Sequence, residues 1–511
     1  MWELLLPQDL PDREYILQGI RQGFRITDQD YQGAPVFVPN HRSAVSPGNF
    51  LAVEQQIKTE ITHGRYLVVK HPPRITSALG AIPKSDGRVR LVHDCSRPVG
   101  QALNDLAQND TFSYKSTEDA MAWIKPGSYL AKLDLASAYR SVGIHPLDYN
   151  VSGLSWRFQG QRKLTFMVDT CLMFGCSKAP YIFNTLTLAV CAIMAIQGFP
   201  GVVSYLDDFI VIGDDFTSCL GHLNTLLSLL RLLGFAINYS KVEGPVHSLQ
   251  FLGVKLDTLS MTASLPQSKL EELIALIADT WRRPSTTKRT LQRLAGKMVW
   301  AARLIKLGRA HIRRIFDLIS TLDHPSHRVK LSGEARQDMY WWLTCAPWAN
   351  GTLPIRDHRD QTPLSIDACG YGGGGYYNGQ GFHVVWQNWP EAETLCINYK
   401  EVIVLLPAVH IWGPSWANKV VNVHSDNKCA VAIINRGTAK HPMVMHVLRR
   451  IAWAAATWNF DLHAHYYPGE HNVVADALSR IPALPAIKTL KTLLGEQFLL
   501  SCVQWQPTQQ H

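Results

Sequence analysis

The order of apolar runs along the chain predicts an α/β protein built from several domains. Three observations carry that reading. From about residue 46 to 260, short β-branched runs alternate with helical ones; from 264 to about 355 the pattern turns helical; at PLSIDACG a fresh strand–helix alternation begins and lasts to about Arg480. At 511 residues the chain is too long for one compact core. The expected divisions are a Pro- and Gly-punctuated, partly ordered lead-in (1–45), a mixed region (46–262), a helical region (263–355), a second mixed region (360–481) and a short tail (482–511). A loop rich in Pro, Gly and Asp (347–363) marks the break before the second mixed region, and there is no internal repeat.

Hydrophobic content of 46% and charged content of 18% belong to a folded globular chain. The net charge of +9 is concentrated: Trp281–Lys330 holds thirteen Lys or Arg against two Asp, leaving the rest of the chain near −2. A basic block in a near-neutral protein points to a polyanion such as nucleic acid, although a solvated helical face has the same composition. Ten cysteines lack a CxxC pair or a histidine partner at zinc spacing, so a reducing compartment without structural zinc is expected. The start, MWELLLPQDLPDRE, is acidic and proline-bearing, unlike a secretory signal. The most apolar helix candidate, Leu186–Ile196, is too short to cross a bilayer and is stopped by QGFPG, so no membrane partner is expected.

In chain order, AIPKSDGRVRLVHDCS (81–96) reads as two strands joined at Asp86-Gly87. Tyr129–Leu133 is an apolar strand that delivers Asp134 at its end, and SYLDDFIVIG reads as a hairpin with Asp207 and Asp208 at its tip. Asp-Asp there either makes the turn by itself or binds a cation. In TTKRTLQRLAGKMVWAARLIKLG, Leu291, Leu294, Met298, Ala302 and Ile305 share one helical face, and Arg289, Arg293 and Lys297 line the opposite one. Two strand-end carboxylates far apart in sequence meet if their strands are neighbours. Asp134, Asp207 and Asp208 could then hold two divalent cations roughly 3.5–4 Å apart, the arrangement that serves phosphoryl transfer. Oxygen ligands with open positions suit Mg²⁺, with Mn²⁺ possible.

KLDLASAY, LMFGCSKAPYIF (172–183), YLDD (205–208), NYSKVE and FLGVKLD (251–257) together resemble the reverse transcriptases, in the family's order. The resemblance implies a right-hand polymerase, with fingers and palm in 46–262 and thumb or connection in 263–355. It implies metal binding by Asp134, Asp207 and Asp208, with Asp208 the least direct ligand. Tyr139 matches the steric gate against a ribose 2′-hydroxyl, and Phe174 and Gly175 border the incoming nucleotide and template. Lys84 and Arg90 match residues that grip the triphosphate, and Lys241 a lysine that protonates pyrophosphate. Arg289, Arg293 and Lys297 would track the duplex backbone. Each has a plain alternative: a core tyrosine, an exposed hairpin edge, a solvated lysine.

Downstream, Asp367 ends PLSID before the run GYGGGGYYNG, Glu401 lies in INYKEVIVLL, Asp426 ends VVNVHSD and Asp476 sits in PGEHNVVADALSR. Strand, helix, strand, helix carrying D, E, D, D resembles ribonuclease H, which implies a second metal pair that activates water against RNA in an RNA–DNA hybrid. The alternatives are a capping-box glutamate three residues after Asn398, a helix-capping Asp426, a surface Asp476 and a glycine linker. His465 or His471 could assist proton traffic.

HDCSRPVGQALND, INYKEVIVLLPAV and VHSDNKCAVAIIN look most like the DIRS-type retrotransposons, whose integration uses a tyrosine recombinase. Met173 stands where many relatives carry proline, and the glycine run is longer than the family's. No protease, integrase, methyltransferase or recombinase motif is found. The partners implied are RNA template, DNA primer, hybrid and dNTPs, in cytoplasm or nucleus. The rival readings are a domesticated, inactive nucleic-acid-binding remnant, and an intron- or telomerase-type polymerase, which would not ordinarily bring the second acidic set.

Overall fold

The structure is a computed structural model, and it describes residues 1–84, 87–108, 111–349 and 351–507. Asp86 of the expected Asp86-Gly87 turn lies outside the described residues. The chain divides into two compact units, Met1–Met261 and Thr262–His511.

The first unit begins with residues expected to be a partly ordered lead-in, and that expectation is corrected. Helix α1 (Arg13–Gln22) buries Ile16 and Leu17, and Trp2, Leu6, Phe24 and Ile26 join the same core. Arg25 Nε, the Ile26 amide and Thr27 Oγ1 donate to the buried carboxylate of Asp148 at 2.9, 2.7 and 2.8 Å, which fastens the segment. The apolar spacing is too short to read as a helix from sequence, yet each of these side chains finds a buried slot.

Helix α2 (Pro47–Thr62) precedes a hairpin of β1 (Ala78–Pro83) and β2 (Val89–Asp94), paired antiparallel from Ala78↔Asp94 to Pro83↔Val89. Strand β3 (Tyr129–Asp134) lies at the centre of a four-stranded antiparallel sheet with β4 (Val202–Tyr205), β5 (Asp208–Gly213) and β6 (Glu243–Val246), in the order β6-β3-β5-β4. Leu130, Ala131, Leu133, Phe209, Ile210 and Val211 of this sheet are buried, which is why β3 and β5 read as nearly continuous apolar runs. Helix α3 (Ala179–Ile196), between β3 and β4 in sequence, and α4 (Phe216–Leu232), after β5, supply much of the core beside it.

Helix α3 is longer than the Leu186–Ile196 stretch expected. Pro180 is tolerated in its first turn, where the missing N–H has no partner to lose, so the helix starts at Ala179. Among the described residues it is the one helix long and apolar enough, by length and composition, to cross a membrane, and 61% of its span is buried in the fold.

The second unit opens with helices α5 (Gln267–Arg282), α6 (Lys288–Ala301) and α7 (Gly333–Ala349). As expected, Leu291, Leu294 and Met298 on one face of α6 are buried, and Arg289 and Arg293 are exposed. Ala302 and Ile305 are also buried but lie past the end of the helix. Lys297 instead pairs with Glu272 Oε1 of α5 at 2.7 Å.

A six-stranded sheet follows, made from β7 (Gln361–Ala368), β8 (Gly372–Tyr377), β9 (Gln380–Val385), β10 (Val420–Ser425), β11 (Asp461–Tyr466) and β12 (Val503–Gln504), in the order β11-β10-β7-β8-β9-β12. β7 to β9 form an antiparallel meander, and β10 and β11 add in parallel on the other side of β7. Helices α8 (Ile397–Ile403), α9 (Lys428–Arg436), α10 (Pro442–Trp458) and α11 (Val473–Ser479) complete this layer. Residues 484–504 of the tail fold as well: α12 (Leu484–Leu494) buries Leu490, and β12 pairs with β9.

Candidate active sites

In the first unit the register of β3 and β5 sets Asp134 directly opposite Asp208. Asp208 also faces Tyr205 across the hairpin, so the turn is the two residues Leu206 and Asp207. The bland expectation that Asp-Asp makes this turn is corrected: Leu206 takes the left-handed conformation (φ 51°), which a leucine adopts at a cost, and Asp208 already belongs to a strand. The Leu135 amide donates to the Asp207 carbonyl at 2.9 Å, fixing the tip against the end of β3.

Burial pushes both hairpin carboxyls up. For Asp208, burial and the neighbouring charges of Asp207 and Asp134 raise the pKa to about 6. Burial also raises Asp207, with Asp134 contributing and Arg90 opposing. Lys241 Nζ lies 2.8 Å from Asp134 Oδ2, and this hydrogen bond raises the lysine pKa. Asn238 donates Nδ2 to Asp134 Oδ1 at 3.2 Å and its amide to the Asp134 carbonyl at 2.9 Å. Asn238 was not singled out from sequence, though it stands inside the quoted NYSKVE.

The half-buried ring of Tyr139 packs on Phe174 (centroids 5.0 Å apart) and Phe183 (5.5 Å). The Arg90 guanidinium lies 4.9 Å from the centre of the Phe174 ring. Gly175 has φ 111°, and a Cβ there would stand 1.9 Å from the His93 carbonyl oxygen, so only glycine lets this loop approach β2. Lys84 is exposed at the end of the β1–β2 hairpin, its amide bonded to the Arg88 carbonyl. Arg289, Arg293 and Lys297 belong to the second unit.

The second unit holds the tighter acidic group. One carboxylate oxygen each from Asp367, Glu401 and Asp426 can be chosen so that all lie within 4.8 Å of one another. They line a cavity of about 370 Å³ together with Asp476, Arg480, Asn427 and Lys428. Asp367 comes near the end of β7, Glu401 from α8 and Asp426 from just after β10, whose parallel pairing with β7 brings the two strand ends together. Burial, then neighbouring acids, raises Asp367 to about 7 and Glu401 to about 8. Ser479 Oγ donates to Asp367 Oδ2 at 2.6 Å, and the Ala368 amide to Glu401 Oε1 at 3.1 Å.

The capping alternatives do not hold. Glu401 accepts from Ala368 and Ser425 and caps nothing, and α9 is capped by Asn427 Oδ1, which accepts from the Cys429 and Ala430 amides. The glycine run is a strand and no linker. In β8 a Cβ on Gly374 would meet Leu478 Cβ at 2.5 Å, and one on Gly372 the Ser479 carbonyl oxygen at 2.5 Å. The absence of side chains lets α11, the helix that bears Asp476, sit directly on the sheet. Asp476 lines the cavity but is outside the close group; Arg480, one turn on, holds its Oδ1 from Nε and Nη2 at 2.8 and 2.7 Å. His465 contacts Asn422 and His471 packs near Tyr467; neither lines the cavity. Ser479 and Arg480 went unremarked in sequence, although DALSR spaces Arg480 at i+4 from Asp476.

A family model described as reverse transcriptase (RNA-dependent DNA polymerase) matches residues 82–256. Similar curated proteins include the transposon Tf2-3 and Tf2-7 polyproteins of Schizosaccharomyces pombe (strain 972 / ATCC 24843), each 20% identical over 498 residues and 91% of this chain. The chain spans 33% of the length of those relatives. Among solved structures, the foamy viral protease-reverse transcriptase in complex with dsDNA matches with TM-score 0.53 at 15% identity, over 86% of this chain and 87% of that one. The same viral protein in complex with RNA/DNA hybrid matches with TM-score 0.52 at 14% identity, over 94% and 63% of the two chains. At these identities the likeness is one of fold, and it extends through both units.

Proposed function

We propose, from the premise that residues 82–256 are a reverse transcriptase domain of the kind retrotransposon and retroviral polyproteins carry, that the chain copies RNA and then DNA into DNA and cleaves the RNA of the hybrid it makes. The observation that carries this reading is the pairing of Asp134 with Asp208 inside the matched segment. The separate Asp367, Glu401 and Asp426 group supports the ribonuclease H part. In domain terms, 46–262 are fingers and palm, 263–355 thumb or connection, and 360–481 the ribonuclease H-like domain. The wording of the quoted motifs favours a DIRS-type element, acting in cytoplasm or nucleus.

Both donor sets are all-oxygen and acidic, and Asp208 in one and Asp367 and Glu401 in the other are pushed up by burial and by neighbouring acids, which fits a hard divalent ion such as Mg²⁺, or Mn²⁺. Asp134, Asp207 and Asp208 would hold it in one site, and Asp367, Glu401, Asp426 and Asp476 in the other. When bound, such ions lower the pKa of the attacking oxygen and neutralise the departing one. The remaining work falls to the chain. Tyr139 fills the space a ribose 2′-hydroxyl would need, and Phe174 and Gly175 floor the nucleotide. Lys84 and Arg90 bind triphosphate oxygens, Arg90 in a fork. Lys241, held beside Asp134, is placed to give a proton to pyrophosphate. Arg289 and Arg293, with Lys297 shared with Glu272, follow the duplex backbone.

The test is extension of a DNA primer on a labelled RNA template with dNTPs and Mg²⁺, scoring DNA synthesis and RNA release together. Extension with RNA release supports the reading; binding of the primed template with neither product overturns it in favour of an inactive remnant.

A further inference from the structure

Arg140, the residue after Tyr139, is the centre of a largely buried charge cluster in the first unit. Its Nε donates to Glu60 Oε2 at 3.0 Å, and its Nη1 to Asp169 Oδ1 and Oδ2 at 2.9 and 2.7 Å and to the Leu172 carbonyl at 3.1 Å. Asp169 is fully buried and Glu60 nearly so, and Glu60 is held in turn by Arg65 at 2.6 Å. None of these groups touches the acidic triad, so the mechanism above leaves them without a role.

Their position supplies one. Arg140 lies in the 3₁₀ turn Ala138–Ser141, entered through Ser137 in the left-handed conformation (φ 52°). That turn aims the Tyr139 ring at Phe174. At its other end the fork grips the loop that bears Phe174, through Asp169 (which also accepts the Cys171 amide at 3.0 Å) and through the Leu172 carbonyl. The loop is tied to β2 as well, since the His93 amide donates to the Phe174 carbonyl at 2.8 Å. Buried His93, which bonds the Tyr66 hydroxyl at 3.2 Å, is 3.6 Å from Asp169 Oδ2. The guanidinium thus joins gate turn to nucleotide floor, and His93 joins that floor to the hairpin.

We infer that the Arg140–Asp169 pair is a strut that sets the distance between Tyr139 and the Phe174–Gly175 loop, and so makes Arg140 a positioning residue for sugar selection and nucleotide affinity. A planar guanidinium held at Nε by Glu60 and at Nη1 by Asp169 resists both sliding and rotation, which a single ammonium does not. The inference rests on the polymerase reading.

The test is single-nucleotide extension by the full chain, dCTP against CTP opposite a template G, for the wild type, Arg140→Lys and Asp169→Asn, with thermal melting as a fold control. In both variants KM for dCTP is expected to rise about tenfold with kcat within about threefold, and the preference for dCTP over CTP to fall about tenfold, as for a small misplacement of a positioned group. The double variant should match the worse single, because both changes break one strut. Unchanged sugar preference, or kcat and KM worsening only in step with lost folded protein, overturns the inference. If Arg140→Lys fails to fold, the near-isosteric Asp169→Asn decides alone. A wild type that does not extend removes the polymerase reading; one that extends while folded variants keep their preference removes this inference only.

Discussion

Asp134 and Asp208 are directly opposed residues on neighbouring antiparallel strands, with Lys241 Nζ 2.8 Å from Asp134. Like charges opposed in this way weaken a sheet. The sheet tolerates them because β3 and β5 are otherwise largely buried and apolar and because one lysine offsets part of the repulsion. Lys241→Met should therefore lower the metal-free stability of the first unit at pH 8 by about 0.5–1 kcal/mol, the modest figure a partly exposed pair warrants. Added Mg²⁺ should recover the loss. Thermal melts with and without Mg²⁺ check this; equal melting temperatures for variant and wild type would count against the offset.

The second acidic group predicts a pH dependence. Asp367 and Glu401 titrate near 7 and 8 when folded, against about 4 to 4.5 when free. Through that window the folded state keeps protons the unfolded chain has released, so metal-free stability falls as pH rises from about 4 to 8. Glu401→Gln should remove part of this slope and stabilise the metal-free protein at pH 8 by about 1–3 kcal/mol. Divalent ion should stabilise the wild type more at pH 8 than at pH 6. Denaturant titrations across the range measure both, and a slope unaltered by Glu401→Gln contradicts the assignment.

The glycine strand gives a sharper structural test. Gly374→Ala puts a Cβ against Leu478 and the Ser479 amide, so α11 must lift and carry Asp476 with it. Hybrid cleavage should fall about 100-fold, with stability down about 1–3 kcal/mol. Gly221, in open space on α4, is the control; Gly221→Ala should be neutral or stabilise by up to about 1 kcal/mol. RNA-release kinetics on a preformed hybrid decide.

Tyr139→Ala should admit ribonucleotides, raising CTP use relative to dCTP by roughly 10- to 100-fold. The ring is sandwiched by Phe174 and Phe183, so its loss opens space at that wall while Asp134 keeps its own bonds. Competition between labelled dCTP and CTP reads the ratio, and an unchanged ratio removes Tyr139 from the role.

Strand-end acids were legible because a carboxylate breaking an apolar run is a local signal, and the hairpin Val202–Gly213 carries its own period. Ser479 and Asn238 were not, since each acts on an acid more than 100 residues away. Glu60 and Asp169 carry no local signal, because only the fold sets Arg140 between them. The amino-terminal helices stayed hidden because Trp2, Leu6 and Ile16 bury against residues far down the chain, such as Leu233, whose carbonyl accepts the Trp2 indole at 3.3 Å. Glu401 was ambiguous for a different reason: Asn398 at i−3 imitates a cap, and only the approach of β7 and β10 shows what the carboxylate serves.

The most direct measurement is the pair Asp207→Asn and Asp426→Asn, each assayed for primer extension and for RNA release from a preformed hybrid. Two independent acidic centres predict that Asp207→Asn loses extension and keeps RNA release, while Asp426→Asn does the opposite. Loss of both activities in either folded variant would contradict the account.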